Sequence, residues 1–132
     1  MRRTLLLGLV FVTLGCRAAA ERAVLQPLPD DTGPQPFIDL VNRARLQAMT
    51  ANEAFYVDNW PDLESAARGI EQSAHFLKRA TAVPVYRQAD LSLRADTLAR
   101  DAVQLREAAK AHDAERVNTT LQRIHSQVRE LR

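Results

Sequence analysis

The sequence predicts an all-α protein in which four amphipathic helices form one up-down-up-down antiparallel four-helix bundle. Three observations favour this fold class. Apolar residues recur at helical spacing in four segments after residue 35. Only four glycines occur in 132 residues, a length that suits a single domain. Alanine, leucine, arginine, glutamine and glutamate dominate, and these residues lose little side-chain freedom in a helix.

Residues 1–15 are predicted to be a targeting segment that does not belong to the fold. Two arginines precede an apolar run that is shorter than the about 20 residues needed to span a bilayer. The run ends in Val12-Thr13-Leu14-Gly15-Cys16, which resembles the bacterial lipobox of lipoprotein signal peptides. Cys16 is the only cysteine, so it cannot form a disulfide within the chain. An ordinary signal peptide or an uncleaved anchor is the alternative interpretation.

The lipobox resemblance implies that Cys16 is acylated and that several acyl chains hold the protein on a membrane of the bacterial envelope, facing the periplasm. Arg17 follows the cysteine, which by resemblance to proteobacterial sorting favours the outer membrane. Residues 16–35 then comprise the lipidated cysteine and a flexible tether, which the prolines make extended and semi-rigid. The folded domain is expected to occupy residues 36–132.

The charge balance gives no support for nucleic-acid binding. Lysine and arginine total 18 and aspartate and glutamate total 16. Removing Arg2 and Arg3 with the signal peptide leaves equal numbers of basic and acidic residues. The high isoelectric point of about 9.1 therefore reflects the targeting segment. No basic cluster interleaved with aromatic residues is present, so nucleic acid is not an expected partner.

Each helix is predicted from its apolar stripe and its end signals. The first helix runs from about Pro36 to Val57, and the second starts at Asn59 or Trp60 and reaches about Arg79. The third starts at Val85 or Asp90 and reaches Ala111, and the fourth follows Asp113. Asn59 or Trp60 is the predicted N-cap of the second helix and Asp113 that of the fourth, and Pro36 and Pro61 lie in first turns. The predicted core stripe of the first helix is Phe37, Leu40, Val41, Ala44, Ala48, Ala51 and Phe55, and that of the second is Leu63, Ala67, Ile70, Ala74 and Leu77. The stripe of the third helix is Leu91, Ala95, Leu98, Ala102, Leu105 and Ala109, and that of the fourth is Val117, Leu121, Ile124, Val128 and Leu131.

The fourth helix carries the pattern Leu121-x-x-Ile124-His125-x-x-Val128-Arg129. This pattern resembles the haem-attachment helix of the cytochrome c-prime family, in which Cys-x-x-Cys-His is followed by an apolar residue and an arginine. Leu121 and Ile124 stand where the two cysteines would be. Soluble b-type four-helix cytochromes place a haem-ligating histidine similarly, without cysteines. The short Asp-Asn-Trp connection after the first helix is a second, weaker similarity.

The resemblance makes His125 the candidate axial ligand of a haem iron, with Arg129 as a weaker contact and Met49 as a weak second ligand. The missing cysteines exclude double thioether attachment, which leaves non-covalent b-type haem as the alternative to no cofactor at all. No His-x-x-x-His or Glu-x-x-His pair predicts another metal site. No nucleophile with an adjacent base is recognisable, so no catalytic residue and no enzymatic activity are expected.

Two functions follow as expectations. The first is a lipid-anchored binding or structural module without haem. The second is a haem protein that transfers electrons or binds a gas molecule through His125.

A homodimer through the first and second helices is a further expectation. Helical spacing places Phe76 on the outer side of the second helix, together with Gly69, Ser73 and Ala80. Leu46 and Val57 on the first helix are also predicted to point outward. Proteins of the cytochrome c-prime family commonly dimerise through these two helices. Scattered apolar surface residues, which are normal, are the alternative interpretation.

Overall fold

The structure, a computed structural model, describes residues 26–132. This part of the chain contains four α-helices, one 3-10 helix and no strand. The α-helices are α1 (Phe37–Tyr56), α2 (Trp60–Leu77), α3 (Leu91–Lys110) and α4 (Ala114–Glu130), and the 3-10 helix spans Val85–Arg87. The predicted all-α class is confirmed. The predicted signal peptide and Cys16 lie outside the described residues.

None of the four helices is both long enough and apolar enough to cross a membrane, within residues 26–132.

Side-chain caps fix the start of two helices, as the sequence predicts. The Asn59 side chain accepts a hydrogen bond from the backbone N–H of Asp62 at 3.2 Å. Asp113 accepts one from the backbone N–H of Arg116 at 3.1 Å. Each cap satisfies a backbone donor that has no partner inside the helix. The third helix begins at Leu91, and the Val85 start considered from the sequence corresponds to the 3-10 helix.

The hydrophobic core is formed by the four apolar stripes that the sequence predicts. The stripe residues are buried, except that Phe55 is partly buried and packs against the others. Leu63, Ile70, Leu98, Leu105 and Ile124 are completely shielded from solvent. Burial of each such side chain contributes about 1.5–3 kcal/mol.

Each helix packs against two others. α2 packs against α1 and α3, and α4 packs against α3 and, over the least extensive of the four interfaces, against α1. At one end of the domain the ring of Trp60 stacks on His112, with 4.6 Å between ring centroids. At the other end Arg87 donates to the backbone carbonyls of Glu130 and Arg132.

The end of the predicted tether is bound to the domain surface. The Gln72 side chain of α2 accepts from the Leu28 backbone N–H at 2.9 Å and donates to the Leu28 carbonyl at 2.8 Å. The backbone N–H of Thr81 donates to the Gln35 carbonyl at 2.9 Å. Leu28 is partly buried against the core. Residues 28–35 therefore form a wall beside α1 and α2.

The sequence-based placement of Phe76 on the outer surface is wrong. Its side chain is only 5% exposed and belongs to the core, and the Arg79 guanidinium lies 4.4 Å from the ring centroid. Ser73 is also fully buried. The reason is that α2 makes the two most extensive helix interfaces of the domain, with α1 and with α3, so its buried face is wider than one stripe.

Candidate functional site

His125 lies on the flank of α4 that faces away from α3. On the other flank, Arg123 and Gln127 donate hydrogen bonds to the Asp101 carboxylate of α3. His125 is two residues from Arg123 and two residues from Gln127. Two residues correspond to a rotation of about 200° around a helix, so His125 points to nearly the opposite side from both. Its flank is therefore the one beside α1, next to the fully buried Ile124.

The His125 imidazole is partly buried and has no hydrogen-bond partner among the described residues. Burial lowers its pKa, because desolvation disfavours the charged ring. The ring is consequently neutral at physiological pH, which is the form that binds a metal. However, nothing within residues 26–132 forms the hydrogen bond that usually orients a metal-binding histidine.

The packing beside His125 does not fit a haem. Within residues 26–132, His125, Met49 and Arg129 line none of four cavities that have volumes of about 110–310 Å³. Met49 is 45% exposed on α1, and Arg129 is exposed on α4. The residues between α1 and α4, such as Val41 and Ile124, are completely buried. A haem at His125 would therefore require α1 and α4 to move apart.

A second polar cluster, which the sequence did not indicate, lies where α1 faces α2. Gln47 is 1% exposed, and its Oε1 accepts a hydrogen bond from the Ser73 hydroxyl at 2.8 Å. Its amide nitrogen has no partner among the described residues. Gly69 makes room for it, because a Cβ atom at that position would lie 2.6 Å from the Gln47 nitrogen.

Arg43, one turn before Gln47, is 9% exposed. Its Nε and Nη2 atoms are shielded from solvent and have no hydrogen-bond partner within residues 26–132. Burial lowers the pKa of Arg43 through desolvation, yet a guanidinium stays charged at every physiological pH. The other buried charged residue of the described chain, Asp101, is paired with Arg123 at 2.9 Å. Arg43 is thus a mostly buried cation, and residues 26–132 supply neither an ion pair for it nor a hydrogen bond to its Nε and Nη2 atoms.

Arg43 is one of the residues that line a cavity of about 310 Å³ between α1 and residues 28–35. We call this space the Arg43 cavity. Its apolar wall is formed by Leu28, Leu40 and Leu46, and its polar lining by Gln35, Asp39, Asn42 and Arg43. A basic group, amide groups and an apolar wall in one cavity are the combination found in small-molecule sites.

The cavity between α3 and α4 is less suited to hold a charged ligand. A cavity of about 250 Å³ between α3 and α4 is lined by Arg94, Asp90 and Glu130, among others. Arg94 pairs with Asp90 at 2.5 Å and with Glu130 at 3.1 Å, so its charge is already balanced. No cluster of three or more histidine, cysteine, aspartate or glutamate side chains in residues 26–132 could hold a metal ion.

Comparison of the chain with family models, curated proteins and solved structures finds no match in any of the three.

Proposed function

We propose that the chain is a lipid-anchored protein of the bacterial cell envelope, held through acylated Cys16 at the outer membrane and facing the periplasm. Residues 36–132 then form an up-down-up-down bundle that acts as a binding or structural module, without haem and without catalytic activity. The lipobox resemblance supports the anchor, and the order of helix contacts supports the bundle.

The filled interior between α1 and α4 is the observation that carries the haemless proposal. A non-covalent haem depends on a shaped pocket and on iron ligation, because no thioether bond holds it. Val41 and Ile124 are completely buried, and His125 lines none of the four cavities described above. Without a cofactor or a recognisable catalytic group, a module that binds a ligand or partner is the function that the geometry supports best.

Lipidation is tested by metabolic labelling with an alkyne-bearing palmitate in a Gram-negative host. The full chain should incorporate the label and sediment with outer membranes. Cys16→Ser should lose the label. Arg17→Asp should keep the label but move the protein to the inner membrane, as the sorting resemblance implies. An unlabelled wild-type chain would contradict the anchor.

One observation favours the alternative of a b-type haem protein for electron transfer or gas binding. The neutral, partly buried imidazole of His125 is in the form that ligates iron. A haem titration followed by visible absorption separates the two functions, with His75→Ala as the matched control because His75 is exposed on α2. A sharp Soret band that is lost in His125→Ala and kept in His75→Ala would overturn the haemless proposal. The absence of a specific band supports it.

Self-association through α1 and α2 also stays a prediction. The burial of Phe76 removes one of its premises, while Val57, at the end of α1, is 73% exposed and Leu46 is partly exposed. Light scattering that shows only monomer at high protein concentration would contradict it.

A further inference from the structure

The unpaired charge of Arg43 is the strongest signal of an absent ligand in the described chain. Taking an ion out of water costs several kcal/mol, so buried charges in proteins are normally paired. Asp39 lines the same cavity one turn earlier, but neither Nε nor Nη2 of Arg43 is bonded to it. The packing of α1 against the neighbouring segments thus buries the Nε and Nη2 donors of the Arg43 guanidinium without giving them hydrogen-bond acceptors.

The chemistry of the unmade bonds indicates the group that would complete them. Nε and Nη2 lie along one edge of the planar guanidinium, where two parallel N–H donors match the two oxygens of a carboxylate. Both atoms are shielded from solvent, so the guanidinium must turn toward the cavity to present this edge. Pairing the charge would drive that rotation, because it removes the cost of an unsatisfied buried cation.

The remaining lining sets the size and charge of the ligand. The volume of about 310 Å³ is at the lower end of the about 300–1,000 Å³ typical of small-molecule sites. The three leucines that line it favour a short apolar body. The Asp39 carboxylate would repel a second negative charge on the ligand, which favours a monoanion over a phosphate dianion.

We propose that the Arg43 cavity binds a small organic monocarboxylate, with its carboxylate on the Arg43 guanidinium and its apolar part against Leu28, Leu40 and Leu46. This inference rests on the proposed binding-module function and names its ligand class. It is independent of the anchor and haem experiments, since neither palmitate labelling nor a Soret band reports on this cavity.

The test is calorimetric titration of the full chain, purified in a non-ionic detergent, with hexanoate as the probe. One hexanoate should bind per chain. Hexanamide, the uncharged counterpart, should bind at least tenfold more weakly. Titration of detergent alone corrects for partitioning of the probe into micelles.

Variants assign the site. Arg43→Met should weaken hexanoate binding at least tenfold, and Arg43→Lys at least threefold, because lysine cannot make the paired contact. Arg45→Met is the matched control, since Arg45 is exposed two residues further along α1, and it should change the affinity less than twofold. Asp39→Asn should strengthen binding.

Gln72→Ala tests the wall of the cavity without touching Arg43. The variant removes both hydrogen bonds that hold the Leu28 backbone and should weaken hexanoate binding severalfold.

Three results would overturn the proposal. The first is no hexanoate binding. The second is hexanoate binding that Arg43→Met leaves unchanged. The third is inorganic phosphate binding more tightly than hexanoate.

Discussion

Replacement of Arg43 by methionine should stabilise the fold. The side chain is 9% exposed, and two of its donor atoms are both buried and unpaired. Each unsatisfied buried polar group costs about 1–3 kcal/mol, and methionine keeps a similar apolar stem without those donors. Arginine and methionine have nearly equal helix propensities, so the backbone of α1 contributes little to the difference.

The expected gain in the free energy of unfolding is about 1–3 kcal/mol, the range found when buried ionic groups are replaced by apolar ones. For a domain of about 100 residues, each kcal/mol raises the melting temperature by about 4–8 °C. Urea and thermal unfolding followed by far-UV circular dichroism measure both quantities. Arg45→Met is the control, because substitution of an exposed residue should change the stability by less than about 0.5 kcal/mol.

A loss of stability in Arg43→Met larger than about 1 kcal/mol would refute this reasoning. It would mean that Arg43 has a partner in solution, since removal of one member of a buried ion pair is strongly destabilising. Asp39→Asn in the wild-type and Arg43→Met backgrounds would then measure whether Asp39 is that partner. Addition of hexanoate supplies a second check, because it should raise the melting temperature of the wild-type chain and not that of Arg43→Met.

The other predictions concern stability. Burial lowers the pKa of His125, so the unfolded chain binds more protons than the folded chain as the pH falls below about 6.5, and the free energy of unfolding should decrease there. His125→Gln should reduce that decrease, which urea unfolding at a series of pH values measures. Gly69→Ala should destabilise the fold by about 1 kcal/mol, because its Cβ would lie 2.6 Å from the Gln47 amide. In a Gln47→Ala background the same substitution should be stabilising, because alanine has the higher helix propensity. Equal effects in both backgrounds would contradict the contact. Asp101→Ala should cost about 1–2 kcal/mol in urea melts, because it removes the hydrogen bonds that Arg123 and Gln127 donate to the carboxylate. A cost below about 0.5 kcal/mol would show that water replaces these bonds.

The helices could be predicted because each signal lies within one segment. The 3.6-residue period of the fourth stripe and the Asp113 cap depend only on neighbours along the chain, and the structure starts α4 at Ala114. The burial of Phe76 could not be read in this way. Whether a residue beside the stripe is covered depends on how extensively the neighbouring helices pack around it, and α2 has the two most extensive interfaces of the domain.

The Arg43 cavity was missed for a related reason. Position 43 lies beside the apolar stripe, and an arginine there ordinarily reaches solvent. Its burial requires both the close approach of α2 and the docking of Leu28, which depends on the long-range bonds of Gln72. A partial signal exists in the sequence: Arg43 and Gln47 are four residues apart on α1, and Gly69 and Ser73 have the same spacing on α2. Small residues at that spacing allow a facing helix to place larger polar side chains between the two backbones.

The two candidate sites, His125 and Arg43, differ in how much their burial destabilises the fold. His125 is neutral, so its partial burial leaves no charge unpaired above its pKa. A residue of this kind persists in a helix without any ligand. Arg43 is charged and buried, and an apolar residue in its place should hold α1 more firmly. Residues that destabilise a fold, such as a buried unpaired charge, are found mainly at functional sites, where selection for function maintains them despite the loss of stability. On that energetic ground we place the proposed ligand at Arg43, on the flank of α1 that faces α2 and residues 28–35, and the haem titration tests the alternative site at His125.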